Sequence, residues 1–416
     1  MPRATRHDRD LARLAVPALG ALAVEPLYVL VDTAIVGHLG TAQLAGLALA
    51  GTLLSTAIWL CSFLAYGTTA QVARLVGAGR RDDAQRLATQ SLWLALALGA
   101  AIAAGFAVLA GPVVAVMGGD GAVADKAVTY LRVAAAGAPF ALVALSGQGY
   151  LRGVQDMVTP LRILLASNVL NVILEVAFVY GLDMDVAGSA LGTVIAQAAA
   201  AAAFLPRLMA RRERPRLRLM RPLARIGGDL VVRTGALLLA FTVATAVLAR
   251  VGPGSLGAHQ VAFQLFVFLA LALDAIAVAC QALVGTHLGA GRAAEAVALA
   301  RRATVWGLAA GVALTVTLAA LAGPLPRAFT DDPAVLTRLD GIWWLFALMQ
   351  PANAVVFVLD GVLIGAGDTA YLRRAMIVAV LAFLPLALAA EPLGWGLRGV
   401  WAALALLLAA RLAGNV

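Results

Sequence analysis

Two acidic side chains lie inside long apolar runs of this sequence, where an ionisable group is costly and therefore suggests a functional site. Asp32 lies in the last third of the run 11–37, and Glu175 lies in the run 159–181, four residues after Asn171. That spacing places Asn171 and Glu175 on one face of a helix. Because a dry cavity disfavours the charged form of a carboxyl group, such acids can take up and release a proton or another small cation.

Three further residues share the helix of Asp32. Glu25 precedes Asp32 by seven residues, or two helical turns on nearly the same face. It either shares a proton network with Asp32 or lies near the cytoplasmic half of a water-filled cleft. Pro17 and Pro26 each remove a backbone donor and permit a kink, which can also be static. The alternative for Asp32 is a permanently paired, structural acid.

The C-terminal half has acids of its own. Asp274 and Asp360 each lie in an apolar run, and either can belong to a second polar network or to a structural ion pair. Arg233 lies near the start of the run 223–250, as the partner of an acid or as a residue at the cytoplasmic interface.

The sequence patterns of several other sites are absent. Cys61 and Cys280 have no metal-type spacing, and we expect both to be small buried hydrophobes. A Gly-Ala-Gly-Arg turn lacks the lysine and hydroxyl of a phosphate-binding loop. No Ser/His dyad, GxGD-like pair or HExxH motif is present, so we expect no enzyme and no cofactor. The histidines form no ligand cluster and are expected to be solvated or interfacial; they are His7, His38, His259 and His287.

The composition shows which elements must position these residues. The 416 residues are 62% hydrophobic and 13% charged, with a mean hydropathy of +0.92, whereas soluble proteins are roughly half apolar and about a quarter charged. The apolar residues must therefore face lipid. The net charge is +9, and the basic residues lie between the apolar runs and not in one basic domain. We therefore expect no nucleic-acid partner.

Twelve apolar stretches are long enough to cross a bilayer core of about 30 Å as helices, which predicts an all-α integral membrane protein. They lie near 11–37, 44–75, 87–117, 124–151, 159–181, 186–209, 223–250, 255–287, 295–321, 334–364, 371–390 and 394–412.

The loops between these stretches alternate in charge. The even-numbered loops are rich in arginine, whereas the odd-numbered loops carry mainly acids, such as Asp120, Asp183 and Asp331. Because cytoplasmic loops are the positively charged ones, both termini are predicted to lie in the cytoplasm.

An internal repeat relates the two halves at an offset of 212 residues. The tetrapeptide Gly-Ala-Gly-Arg at 77–80 recurs at 289–292, and Pro139 corresponds to Pro351. Two six-helix halves in the same orientation predict lobes related by a pseudo-twofold axis along the membrane normal. We expect an N-terminal lobe at 1–206, a cytoplasmic linker at 207–222 and a C-terminal lobe at 223–416.

Several motifs lie along the whole chain, namely VDTAIVGHLG at 31–40, the paired GAGR loops, NVILE at 171–175, GSALGT at 188–193 and DGVLIGAGD at 360–368. With these motifs the chain resembles the multidrug and toxic compound extrusion (MATE) family, in particular its DNA-damage-inducible-F-like branch.

The resemblance implies the MATE fold and assigns cation coupling to the N-terminal lobe. It implies that Asp32 is the coupling acid and that Thr193 is a hydroxyl near it, although a membrane threonine can instead bond its own helix carbonyl. The family usually has Asp where Glu175 stands. Its sodium-coupled branch has an acid in the seventh of the twelve membrane helices, which is the run 223–250 here. Residues 230–250 contain no acid, which favours protons over sodium.

The repeat supplies an internal control on these assignments. At the offset of 212, Ala244, Phe383, Ala387 and Ala405 occupy the positions of Asp32, Asn171, Glu175 and Thr193. The scaffold is doubled but the polar groups are not, which favours a functional role for them.

The predicted function is therefore a secondary active multidrug efflux antiporter, coupled to protons, that exports amphipathic or cationic compounds by alternating access. The alternatives are a lipid-linked saccharide flippase of the same superfamily and a sodium-coupled drug antiporter. We expect a monomer in the bacterial inner membrane, with the lipid bilayer and small substrates as its partners.

Overall fold

The computed structural model describes residues 6–211 and 213–415, except for the side chain of Glu25. Every regular element in this part of the chain is helical. The helices are α1 (Arg6–Gly37), α2 (Thr41–Leu60), α3 (Phe63–Gly77), α4 (Arg81–Val116), α5 (Gly121–Ala135), α6 (Ala138–Gly153), α7 (Val158–Val176), α8 (Asp185–Leu208), α9 (Leu217–Val251), α10 (Pro253–Gly289), α11 (Ala293–Ala320), α12 (Pro324–Arg327), α13 (Pro333–Leu348), α14 (Gln350–Ala366), α15 (Thr369–Ala389) and α16 (Gly396–Asn415), and a π-helical turn, Ala177–Gly181, follows α7.

The apolar helices agree with the predicted all-α membrane architecture. Within the described residues, ten helical segments are long and apolar enough to cross a membrane, with α2 and α3 counted together. The pairs α5–α6 and α13–α14 bring the number to twelve if each pair is one span. Each of the predicted spans at 124–151 and 334–364 is thus a pair of helices, bent by 50° and 49° at the break.

The bends occur at corresponding places in the two halves. Pro139 and Pro351 lie in the first turn of α6 and α14, where a residue without a backbone N–H is tolerated. A glycine of the preceding long helix packs against each proline. A Cβ atom on Gly311 would lie 2.5 Å from the Cα atom of Pro351, and Gly99 meets Pro139 in the same way. The offset of 212 thus recurs in the packing.

Contacts divide the described chain into two compact units. The N-terminal unit comprises Val16–Gly227, and the C-terminal unit comprises residues 6–15 together with 228–415. The boundaries therefore fall inside α1 and α9. The division of the chain into lobes at 206 and 222 stays a prediction.

The segment after α8 is held against α4 within the N-terminal unit. Thr89 donates to the carbonyl of Leu208 at 2.7 Å, and the Trp93 indole donates to the carbonyl of Glu213 at 3.0 Å. These bonds satisfy backbone groups where the helix has ended. Part of the predicted linker is thus packed on a helix.

Candidate ion-coupling site

The N-terminal unit brings the four predicted coupling residues together. Asp32 lies on α1, Asn171 and Glu175 on α7, and Thr193 on α8. All four side chains are buried, with exposed fractions of 6%, 1%, 0% and 7%. Gly192 lets the helices approach closely, because a Cβ atom there would lie 3.2 Å from the backbone nitrogen of Glu175.

A serine next to the predicted residues binds the helix 1 acid. The Ser189 hydroxyl donates to Oδ1 of Asp32 at 2.7 Å, and Ser189 is fully buried. Ser189 was missing from our predicted site residues. Its spacing of four residues from Thr193 places both on one face of α8, and this pattern matches the Asn171–Glu175 pair and could have revealed it.

Thr193 is the centre of a hydrogen-bond network that joins three helices. Its hydroxyl pairs with the Tyr28 hydroxyl of α1 at 2.8 Å and accepts from Nδ2 of Asn171 at 3.2 Å. It also donates to the carbonyl of Ser189 at 3.1 Å. Thr193 therefore bonds its own helix carbonyl and also contacts α1 and α7, since one oxygen can donate and accept at once.

Glu175 is a buried acid whose carboxyl oxygens have no hydrogen-bond partner among the described residues. The same is true of Oδ1 of Asn171, so the two residues share a helix face without bonding each other. Glu175 approaches Asp32 and Ser189 closely enough to interact with them. Two neighbouring carboxylates repel each other, and a proton or a small cation held between them relieves that repulsion.

Two tyrosines complete the surroundings of these acids. Tyr28 reaches the network through Thr193, and Tyr130 of α5 is 5% exposed and lies near Asp32 and Glu175. Neither was predicted. Tyr130 has no fixed spacing from the other site residues, so only the folded structure reveals it.

The accessory residues of α1 are resolved only in part. Pro17 and Pro26 both lie inside one continuous helix, Arg6–Gly37. The side chain of Glu25 lies outside the described residues, so its predicted link to Asp32 stays a prediction.

Asp360 of the C-terminal unit has a very different environment. It forms ion pairs with Arg233 and Arg411, the second at 2.7 Å, and accepts from Nδ2 of Asn415 at 2.8 Å. The role of Arg233 as the partner of an acid is confirmed. Asp274 lies half-buried in α10, and its side chain also has an interaction partner.

His259 corrects one of our expectations. It was expected to be solvated or interfacial, but it is fully buried in α10. Its ring stacks on Phe263 with centroids 5.8 Å apart and meets Trp401 edge-on at 6.0 Å. Aromatic side chains pack over the beginning of α10. The position of His259 near a helix end did not indicate this packing.

Comparisons with known proteins agree with this architecture. The MatE family model matches residues 17–177 and again 233–389, once in each half of the chain. The chain is 33% identical to DNA damage-inducible protein F of Escherichia coli (strain K12), over 98% of this chain and 91% of that protein. It is also 33% identical to Protein DETOXIFICATION 44, chloroplastic, of Arabidopsis thaliana, over 97% of this chain and 80% of that protein.

A solved structure shows the same fold. The crystal structure of MATE in the bent conformation matches with a TM-score of 0.92, covering 99% of this chain and 94% of that one at 21% identity. With a family model that matches each half of the repeat and relatives that match nearly the whole length, the chain belongs to the MatE family, whose members are multi-pass membrane transporters and not enzymes.

Proposed function

We propose that this protein is a proton-coupled antiporter that exports amphipathic or cationic compounds across the bacterial inner membrane by alternating access. In this proposal it works as a monomer with both termini in the cytoplasm. A proton gradient drives transport, and no cofactor is required. The observation that carries the proposal is the pair of buried acids, Asp32 and Glu175, neither of which has a cationic partner among the described side chains.

The partner of Asp32 supports a role in proton exchange. Ser189 is a hydroxyl, which can donate to a carboxylate or accept from a carboxylic acid. Asp32 can therefore gain or lose a proton while it keeps a hydrogen bond at 2.7 Å. An acid bonded to an arginine lacks this freedom, because its protonation leaves a buried cation unpaired.

The hydroxyl network offers a way to link that proton to helix packing. Ser189 and Thr193 lie on one face of α8, and Thr193 contacts Tyr28 of α1 and Asn171 of α7. Thr193 also bonds the backbone carbonyl of Ser189 at 3.1 Å, so one turn of α8 joins the acid to the contacts with α1 and α7, and a change in the bond between Asp32 and Ser189 can shift that turn. A cationic substrate is attracted to the ionised acids. Protonation neutralises these acids and removes the attraction, so the binding of protons and the binding of substrate oppose each other.

Sodium is the competing ion for this site. Carboxylate, amide and hydroxyl oxygens also suit hard cations. Against sodium stands helix α9, where residues 230–250 contain no acid and Arg233 is already paired with Asp360. The proton is therefore the proposed coupling ion.

Transport by the full chain in proteoliposomes tests the coupling ion. Ethidium, a permanently charged dye, is followed under an imposed pH gradient in sodium-free buffer, with the membrane voltage clamped. We expect transport driven by the pH gradient alone and abolished by a protonophore. Transport that requires a sodium gradient and ignores the pH gradient would overturn the proposal.

A further inference from the structure

The C-terminal unit contains a small aromatic cavity between α9, α10, α14 and α16, with a volume of about 30 Å³. Phe241, Phe263 and Phe266 are among the residues that line it. Phe241 meets the other two rings edge-on, with centroids 4.9 and 5.8 Å away. Such a cluster offers both ring faces and ring edges, which pack well against another aromatic ring.

Two orphaned donors lie on the wall of this cavity. Trp401 and Asn353 both line it and are 3% and 1% exposed. Nε1 of Trp401 and Nδ2 of Asn353 have no hydrogen-bond partner in the part of the chain that the structure describes. A buried donor without a partner is destabilising, and an indole N–H can only donate. Two such donors on one cavity leave hydrogen bonds that a bound acceptor can complete.

The third polar group on the wall belongs to a positively charged cluster. Arg411 lines the cavity, and its guanidinium bonds Asp360 at 2.7 Å. Arg233 binds the same carboxylate. One carboxylate between two guanidinium groups leaves an excess positive charge, and Nε of Arg233 is also buried without a partner among the described residues. The cavity wall therefore presents donors and a net positive charge.

We propose that this cavity binds the carboxylate or carbonyl end of an aromatic acid. The oxygen would accept from Trp401 and Asn353 beside the positive charge of Arg411, and the ring would pack on the phenylalanines. A cationic group would meet donors and positive charge there. The cavity holds only the polar end of such a molecule, and Met349 on its wall is a flexible side chain that can move to admit the ring.

This inference extends the proposed function, on which it rests, by adding aromatic acids to its substrates. It also assigns their binding to the C-terminal unit, apart from the acids of the N-terminal unit. Binding at equilibrium needs no ion gradient. A binding measurement can therefore fail or succeed independently of proton-driven export.

The test uses two fluorinated probes of matched size and opposite charge, 4-fluorobenzoate and 4-fluorobenzylammonium. Fluorine NMR line broadening is measured with the full chain in nanodiscs of zwitterionic lipid, against empty nanodiscs. Trp401→Phe and Asn353→Leu each remove one donor and leave an apolar side chain of similar size in its place. Trp395→Phe is the matched control, since Trp395 is 47% exposed and does not line the cavity.

We expect 4-fluorobenzoate to bind and to be displaced by benzoate. Loss of one hydrogen bond, worth about 1 kcal/mol, should weaken its binding roughly fivefold in each donor variant. Trp395→Phe should bind as the wild type does. Absence of binding, equal binding of 4-fluorobenzylammonium, or binding unchanged in both donor variants would overturn the assignment. Two variants keep the test decisive if one of them does not fold.

Discussion

Asp32 and Asp360 are both buried acids, each 6% exposed, in units built on the same repeat. Asp32 receives a hydrogen bond from the Ser189 hydroxyl. Asp360 is held by two arginines and by Asn415. The two acids occupy different positions of the repeat, since Asp32 corresponds to Ala244 and Asp360 to Gln148, so the role of each must be judged from its own partners.

The difference in partners separates an acid that can exchange a proton from an acid that holds helices together. When Asp32 is neutralised, its partner is the Ser189 hydroxyl, which can bond either the charged or the neutral form of the carboxyl group. Neutralising Asp360 leaves two buried guanidinium groups without a counter-charge, which is strongly destabilising. We therefore infer that the N-terminal unit handles the coupling ion and that Asp360 stabilises the C-terminal unit.

The largest expected effect is that of Asp32→Asn on transport. Asparagine keeps the size of the side chain and its hydrogen bond to Ser189 but cannot release a proton. Export of ethidium under a pH gradient should fall to the level of empty liposomes, while the melting temperature changes little. Gradient-driven export at the wild-type rate, at matched protein content, would move the coupling role to another acid.

Asp360→Asn should have the opposite profile. Removing one partner of a buried ion cluster costs about 3–5 kcal/mol, so the protein should melt at a clearly lower temperature. The fraction that remains folded should still couple export to the pH gradient. Thermal unfolding and transport are measured on the same preparation, and loss of coupling at unchanged stability would break the comparison.

The smallest effect is expected for Thr193→Val, which removes the hydroxyl that joins Tyr28 and Asn171 but leaves both acids in place. Loss of about 1 kcal/mol of hydrogen bonding corresponds to roughly a fivefold change, seen as slower gradient-driven export. Thr245→Val is the matched control, because Thr245 bonds Phe241 and His259 in the C-terminal unit. An equal slowing in both variants would mean that the effect is general and not specific to the coupling site.

The sequence predicted the features that follow from hydrophobicity and fixed spacing. The apolar runs gave the membrane helices, and the i, i+4 spacing placed Asn171 and Glu175 on one face of α7. The breaks before Pro139 and Pro351 were missed, because proline is tolerated in membrane helices and hydropathy does not report an angle. Tyr28, Tyr130 and Ser189 were also missed as site residues.

The identity of the partners needed the folded chain. Asp32 and Ser189 are separated by 157 residues, and Asp360 and Arg411 by 51. A single sequence shows that an acid is buried in an apolar run, but not whether a hydroxyl or a guanidinium faces it. That contact decides between the coupling and the structural role.

The most direct measurement of the central claim is proton release when a cation binds. Ethidium is added to the purified protein in weakly buffered solution, and the pH change is compared with the amount of dye bound. The wild type should release protons in proportion to the ethidium bound, and Asp32→Asn should bind the dye with little release. Equal release from both proteins, or binding to the wild type without release, would contradict the assignment of proton exchange to Asp32.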